Sequence, residues 1–250
     1  MQLLKTNNIK LTIEYNGLPY SGWQSQKNEK TIQSEIEKAI FKFCGHQTVI
    51  QGAGRTDAGV HALGQCANFF IDKKYSEYQI VNGLNFHLGS EKIRIVSAQI
   101  VEEKFDSRFS AKIKTYRYQI VNRTSPSVLL SDFSLHIRPE LNVDIMQDAI
   151  MKLIGKYDFS SFRARDCQAK NPIRTLEDAE IKRNNQIIHI SFSAKSFLYQ
   201  QIRIMAGTLI EVGLNKIKPQ DIPKIIDSRN RSLAGPTAPA RGLTLVKIEY

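Results

Sequence analysis

Short alternating segments, interrupted by single helices, constrain the fold of this chain more than any other feature. Ile9, Leu11, Ile13 and Tyr15 alternate with Lys10, Thr12 and Glu14, the period of a half-buried strand, and Asn16-Gly17 closes it in turn chemistry. Ile32, Ile36, Ala39, Ile40 and Phe43 then recur at helical spacing, with Thr31 as N-cap and Gly45 as stop. A short strand over 48–51 runs into a glycine-rich loop, and further strands are expected over 64–71 and 93–101. A second series follows. It has a strand over 111–121 with Tyr116, Tyr118 and Ile120 on one face, and a helix carrying Ile145, Ala149, Ile150, Leu153 and Ile154, ended by Gly155. A strand through Ile188, Ile190, Phe192 and Ala194 comes next, then a helix over 197–212 and a last strand over 243–250. Between them, 125–140 reads as a long, functional or mobile loop. Runs of strands broken by single helices favour mixed, largely antiparallel sheets flanked by helices. The expectation is an α+β protein of two similar halves, 1–105 and 106–250.

The chain has 250 residues, enough to bury a sizeable core, and 42% apolar with 24% charged residues is too apolar for disorder. No apolar run exceeds three residues, so no membrane span is expected, and the stretch from Met1 to Asn8 lacks the apolar core of a secretory signal. Three scattered cysteines, Cys44, Cys66 and Cys167, form neither a disulfide framework nor a C-x-x-C pair, which reads as a reducing cytoplasm. The five histidines are also far apart, so no metal is expected.

Charge points toward a partner. Lys and Arg number 35 against 24 Asp and Glu, a net +11. The excess is uneven: Lys104, Arg108, Lys112, Lys114, Arg117 and Arg123 face one acid, Asp106, and Arg163, Arg165, Lys170 and Arg174 face Asp166. Phe105, Phe109, Tyr116, Tyr118 and Phe162 interleave with them. Cations neutralise phosphates and flat rings stack on exposed bases, so the mixture suits RNA. An ordinary solvated face gives the same counts, and charge alone leaves both readings open.

The loop after the first helix is dense in glycine: Gly52, Gly54, Gly59 and Gly64. Neither of the common glycine-rich phosphate-binding patterns is present, so a nucleotide-triphosphate site is poorly supported. Arg55 and Asp57 stand two apart inside the loop, and a tight turn can bring such a pair to one point. A nearby guanidinium favours an ionised carboxylate, which suits a nucleophile or base. Spacing alone favours the plainer alternative, in which Asp57 satisfies loop amides and Arg55 is a surface pair. His61 reads as a packed or hydrogen-bonded histidine.

The string Ala53-Gly54-Arg55-Thr56-Asp57-Ala58-Gly59-Val60-His61 resembles the signature loop of the bacterial tRNA pseudouridine synthase A family. The likeness extends in order along nearly the whole chain. Tyr15-Asn16-Gly17 with Tyr20-Ser21-Gly22-Trp23-Gln24 is similar to the family's opening, and Phe105 to Ala111 with Tyr116-Arg117-Tyr118 to its centre. Asp158-Phe159-Ser160-Ser161-Phe162, Arg174-Thr175, Phe197-Leu198-Tyr199 with Ile202-Arg203, Glu211-Val212-Gly213 and Ala238-Pro239-Ala240 continue it. Gln200 and Ile204 depart from the pattern, standing where some members carry histidine and asparagine.

The resemblance implies conversion of uridine to pseudouridine in the anticodon stem-loop of tRNA, at positions 38 to 40. It implies an active-site cleft between the two halves, no cofactor, a homodimer, and tRNA as partner. Asp57 is then the catalytic carboxylate, acting either covalently or as a base. Arg55 assists flipping of the base and pairs with the carboxylate, Tyr116 stacks on the uracil, and Arg203 helps to hold Asp57 ionised. Leu243 and Leu245 are either apolar walls for the uracil or ordinary strand core. A non-catalytic RNA-binding protein is the alternative that keeps the basic and aromatic segments without needing the Arg55–Asp57 pair.

Overall fold

The computed structural model describes residues 7–250, so most of the amino-terminal stretch read for a signal lies outside the described residues. The described chain divides into two compact units, one of residues 7–111 with 245–250 and the other of residues 112–244.

The first unit contains β1 (Asn7–Tyr15), α1 (Ile32–Cys44), β2 (Gln51–Gly52), β3 (His61–Ile71), α2 (Glu77–Leu88) and β4 (Ile93–Val101). β1 lies between β3 and β4 and is antiparallel to both. The register sets Leu11 opposite Ala67 and Ala98, and Ile9 opposite Phe69 and Ile100. Ile9, Leu11, Ile13 and Tyr15 are buried as their alternation requires. The helices of the unit bury apolar faces as well: Ile32, Ile36, Ala39 and Ile40 of α1, and Ile80, Leu84 and Leu88 of α2. Both helices start in a capping box, Thr31 with Ser34 and Ser76 with Gln79, which satisfies two otherwise orphaned amides at each start. Sequence periodicity missed α2, although Ser76 to Gln79 followed by Ile80, Leu84 and Leu88 carried the signal.

The expected strand over 48–51 is reduced to Gln51–Gly52. Side chains of α1 take the place of a strand ladder there. The Ile50 amide donates to Glu37, and the Gln33 side-chain amide donates to the Ile50 carbonyl. The motif Phe105 to Ala111 forms a compact turn. The Asp106 carboxylate accepts from the amides of Arg108 and Phe109, both at 2.8 Å, and Asn8 and Asn68 fix the turn to the sheet.

The second unit contains β5 (Ile113–Asn122), β6 (Leu135–Ile137), α3 (Val143–Met151), β7 (Gly155–Asp158), β8 (Ile173–Leu176), β9 (Asp178–Asn184), β10 (Ile187–Ala194), α4 (Gln201–Gly213) and α5 (Ile222–Ser228). β10 lies between β5 and β9, antiparallel to both, while β6 joins β5 in parallel and β7 pairs with β8 as a separate hairpin. Phe192 sits opposite Tyr116, Ile190 opposite Tyr118 and Ile188 opposite Ile120, making one continuous apolar face. α4 is buried almost all round, with Ile204, Met205, Ala206 and Leu209 excluded from solvent. The stretch expected as a loop over 125–140 contains β6. α3 stops at Met151, short of Gly155, and α4 starts at Gln201, because Gln200 adopts a left-handed conformation with φ of 59°. The last strand, β11 (Leu243–Glu249), returns to the first unit, where residues 245–249 lie beside β3. This differs from grouping the chain's end with its second half.

The architecture is α+β with mixed, mostly antiparallel strands and flanking helices, as the alternating segments require. Among the described residues, no helix is long and apolar enough to cross a membrane.

Candidate active site

The glycine-rich loop from Ala53 to Val60 is irregular, yet it is fixed by its neighbours. Thr56 is the anchor. Its hydroxyl lies 2.8 Å from the Tyr15 hydroxyl, and its carbonyl accepts from the Trp23 amide at 3.0 Å. Tyr15 is buried, which pushes its hydroxyl up to about 12 against the opposing bonds with Thr56 and Gln65, so it stays protonated near neutrality. Upstream, the Ala53 amide donates to the Cys66 carbonyl and the Gln65 side chain donates to the Gly54 carbonyl.

Asp57 opens a four-residue turn in which the Val60 amide donates back to the Asp57 carbonyl at 3.1 Å. Gly59, third in the turn, has φ of 78°, a value that an L side chain disfavours. The segment after β1 closes on this turn. A Cβ at Gly17 would sit 1.9 Å from the Val60 carbonyl oxygen, so the two backbones meet where only glycine fits. The Gly17 amide donates to His61 Nδ1 at 3.2 Å, which places the proton of a neutral ring on Nε2. His61 is buried and acts as a prop, in line with its reading as a hydrogen-bonded histidine.

The loop therefore presents Asp57, half-buried, at the corner of a turn whose backbone is held from both sides. Arg55 is exposed, and its Nε donates to Gln24 Oε1 at 2.9 Å. Among the described residues it makes no ion pair, so in this state the guanidinium is parked on the segment that cradles the loop. The cradle, Tyr15 to Gln24, was recognisable as a motif. Its role was not, because the contacts with 53–60 span more than thirty positions of sequence.

The second unit carries further residues of the expected site. Tyr116 on β5 is 7% exposed, and its ring stands edge-on to Phe197 with centroids 5.5 Å apart. Tyr118, two residues on, shares that face and donates to the Pro239 carbonyl at 2.9 Å. Burial pushes the Tyr118 hydroxyl up, opposed by the cations of Arg203 and Arg241. Arg203 is half-buried on the first turn of α4, and its Nε donates to the Ala238 carbonyl at 2.8 Å while the Ala238 amide donates to the Arg203 carbonyl. That reciprocal pair fixes the arginine's backbone and stem together. Gly207, one turn on, lets the Pro236 carbonyl cross the helix: a Cβ there would lie 1.8 Å from that oxygen. Leu243 is buried in this unit, and Leu245 is buried in the first. Sequence reasoning missed Phe197 as a neighbour of Tyr116, and Ala238 and Arg241 as neighbours of Arg203 and Tyr118; the latter two come from the folding of 236–241 across α4.

The basic segments divide between structural and free roles. Arg163 and Arg174 donate to the backbone carbonyls of Ala169 and Asn171. Arg165 and Lys170 are exposed, and Arg108 lies over the ring of Phe109, 5.4 Å from its centroid, with that ring 74% exposed. Among the described residues, no group of three His, Cys, Asp or Glu is placed to hold a metal.

The profile of the tRNA pseudouridine synthase family matches residues 11–110 and 149–250. A protein of Wolbachia pipientis wMel named tRNA pseudouridine synthase A is 49% identical over 242 residues, covering 96% of this chain and 99% of the relative. Proteins of the same name from Ehrlichia chaffeensis and Methylobacterium radiotolerans are 48% and 42% identical, each covering 96% of this chain, with 99% and 97% of the relative.

Proposed function

Since the chain belongs to the tRNA pseudouridine synthase family, we propose that it isomerises uridine to pseudouridine in the anticodon stem-loop of tRNA, at positions 38 to 40, with Asp57 as the catalytic carboxylate. The observation that carries the assignment is the Asp57 turn itself: a half-buried carboxylate on an irregular loop whose backbone is held by Tyr15, Gly17 and Trp23. Binding geometry of this kind pre-positions a reacting group without a regular element.

The reaction breaks the C1′–N1 bond of the nucleotide, turns the uracil and joins C1′ to C5. N1 gains a proton and C5 loses one, so the formula is unchanged and no oxidant or group donor is consumed. Asp57 meets the ribose either by adding to C1′ or by abstracting a proton at C2′. A base in a stem must first leave the stack. Arg55, exposed and bonded only to Gln24 among the described residues, is assigned to that step, exchanging an amide oxygen for the strand or the carboxylate. Tyr116 is assigned to the uracil face and Arg203 to the support of the ionised carboxylate. The exposed cations Arg165 and Lys170, and Arg108 with Phe109, suit the phosphates and unpaired bases of an RNA. The working form is a cytoplasmic homodimer.

Asp57→Asn tests the assignment. Pseudouridine formation on an unmodified tRNA transcript should fall by at least a thousandfold, while tRNA affinity stays within a few-fold of the parent. Retained turnover removes Asp57 from the chemistry. Mapping the modified uridines in the same transcript checks the anticodon positions, and light scattering checks the dimer.

A further inference from the structure

At one end of the second unit a cavity of about 660 Å³ opens between the end of β5, the segment after β6 and the β9–β10 hairpin. Three arginines line it, Arg123, Arg138 and Arg183, against one carboxylate, Glu140. The first and last of these are oriented by the protein. Arg123 donates from Nε to the Ser125 carbonyl at 2.7 Å, from Nη1 to Gln186 at 3.1 Å and from Nη2 to the Pro126 carbonyl at 3.1 Å. Arg183 donates from Nη2 to the side-chain oxygen of Asn122 and approaches Glu140 at 3.6 Å.

Each guanidinium has five N–H groups, so both keep donors after these bonds are made. Arg138 differs: it is exposed, and among the described residues its side chain makes no hydrogen bond or ion pair. Glu140 is 88% exposed at its side chain and balances one of the three charges. Two fixed forks and one unengaged fork thus face a polar concavity with a net positive charge. Arginine forks match the oxygens of a phosphate geometrically as well as electrostatically.

We propose that this cavity is a phosphate-binding site, with Arg138 closing on a phosphate group that Arg123 and Arg183 are already oriented to receive. The group belongs either to the backbone of the RNA substrate, which rests on the reading of the reaction above, or to free phosphate. Among the described residues the Arg138 side chain has no partner to lose, so its replacement leaves the fold intact and isolates the site.

The experiment uses the full chain, the parent beside Arg138→Ala and Arg138→Glu. The first arm measures affinity for unmodified tRNA across a salt series; the second measures thermal unfolding against inorganic phosphate at constant ionic strength. If the RNA backbone is the source, both variants lower the slope of log affinity on log salt by about one and bind several-fold more weakly at low salt. If free phosphate is the source, the tRNA slopes agree, and phosphate raises the melting temperature of the parent by about 2–4 °C but not that of Arg138→Glu. Identical slopes together with identical phosphate responses overturn the proposal. Pseudouridine formation by the parent, run alongside, separates the two claims. Turnover by a parent whose variants behave identically removes the cavity alone, whereas a parent that never modifies tRNA removes the reading of the reaction.

Discussion

On the proposal that Asp57 is the catalytic carboxylate, Gly17→Ala tests whether the rigidity of its turn is what makes it reactive. The added Cβ would lie 1.9 Å from the Val60 carbonyl oxygen, and Cβ atoms are essentially never found under 3.0 Å from another heavy atom. The two backbones must therefore separate by about 1.1 Å. Val60 closes the turn that starts at Asp57, so the movement reaches the carboxylate through a single hydrogen bond. A misplacement of about 1 Å at a reacting group costs on the order of a hundredfold in rate. Single-turnover pseudouridine formation at saturating enzyme should fall by that factor. Circular dichroism and tRNA affinity should stay near the parent's. Gly45→Ala is the control: that glycine has a positive φ, 82°, and a Cβ there meets nothing within 4 Å. It should cost roughly 1 kcal/mol of stability, through backbone strain alone, and no activity. Gly17→Ala folded and within threefold of the parent's rate would refute the argument that the loop must be held where it is.

Two further outcomes follow from the same structure. On the proposal that Tyr116 stacks on the uracil, Tyr116→Ala should lose more activity than Tyr116→Phe, because the ring and not the hydroxyl would stack; a stacked base is worth roughly 1–3 kcal/mol, and equal losses in a rate comparison would exclude simple stacking. Glu91 ties the cradle to β4 by accepting from Tyr20 at 2.6 Å and from Lys30 at 2.8 Å. Partial burial alone would raise its carboxyl, but the bonds from Lys30 and Tyr20 outweigh it and hold it below the ordinary 4.5. Because the folded value is the depressed one, the stabilisation is complete above 4.5 and fades as pH falls through the folded value. Denaturant melts of Glu91→Gln should therefore show a deficit at pH 7 that shrinks toward pH 3; a deficit independent of pH would assign the loss to packing.

Much of the fold was legible in local pattern. β1, α1 and β10 follow from period-two and helical spacing because each buries one face against one layer, and burial is what those periods encode. The misses share a cause as well. β9, with only Ala179 and Ile181 buried among charged neighbours, is an edge strand whose existence depends on its pairing with β10. The shortened strand before the loop lost its ladder to Glu37 and Gln33, side chains more than ten residues away.

Alone, the sequence determined the α+β class, the family and the identity of the loop that carries Asp57. Periodicity, glycine density and an ordered string of motifs are properties of the linear chain. Tertiary structure decided what holds that loop: Thr56 between Tyr15 and Trp23, Val60 against Gly17, and Arg55 on Gln24. It likewise decided that Arg203 is fastened by Ala238 and that three arginines distant in sequence share one cavity. These are contacts between segments far apart in the chain. Their geometry depends on the register of strands and the crossing of helices, which local residue preference does not specify.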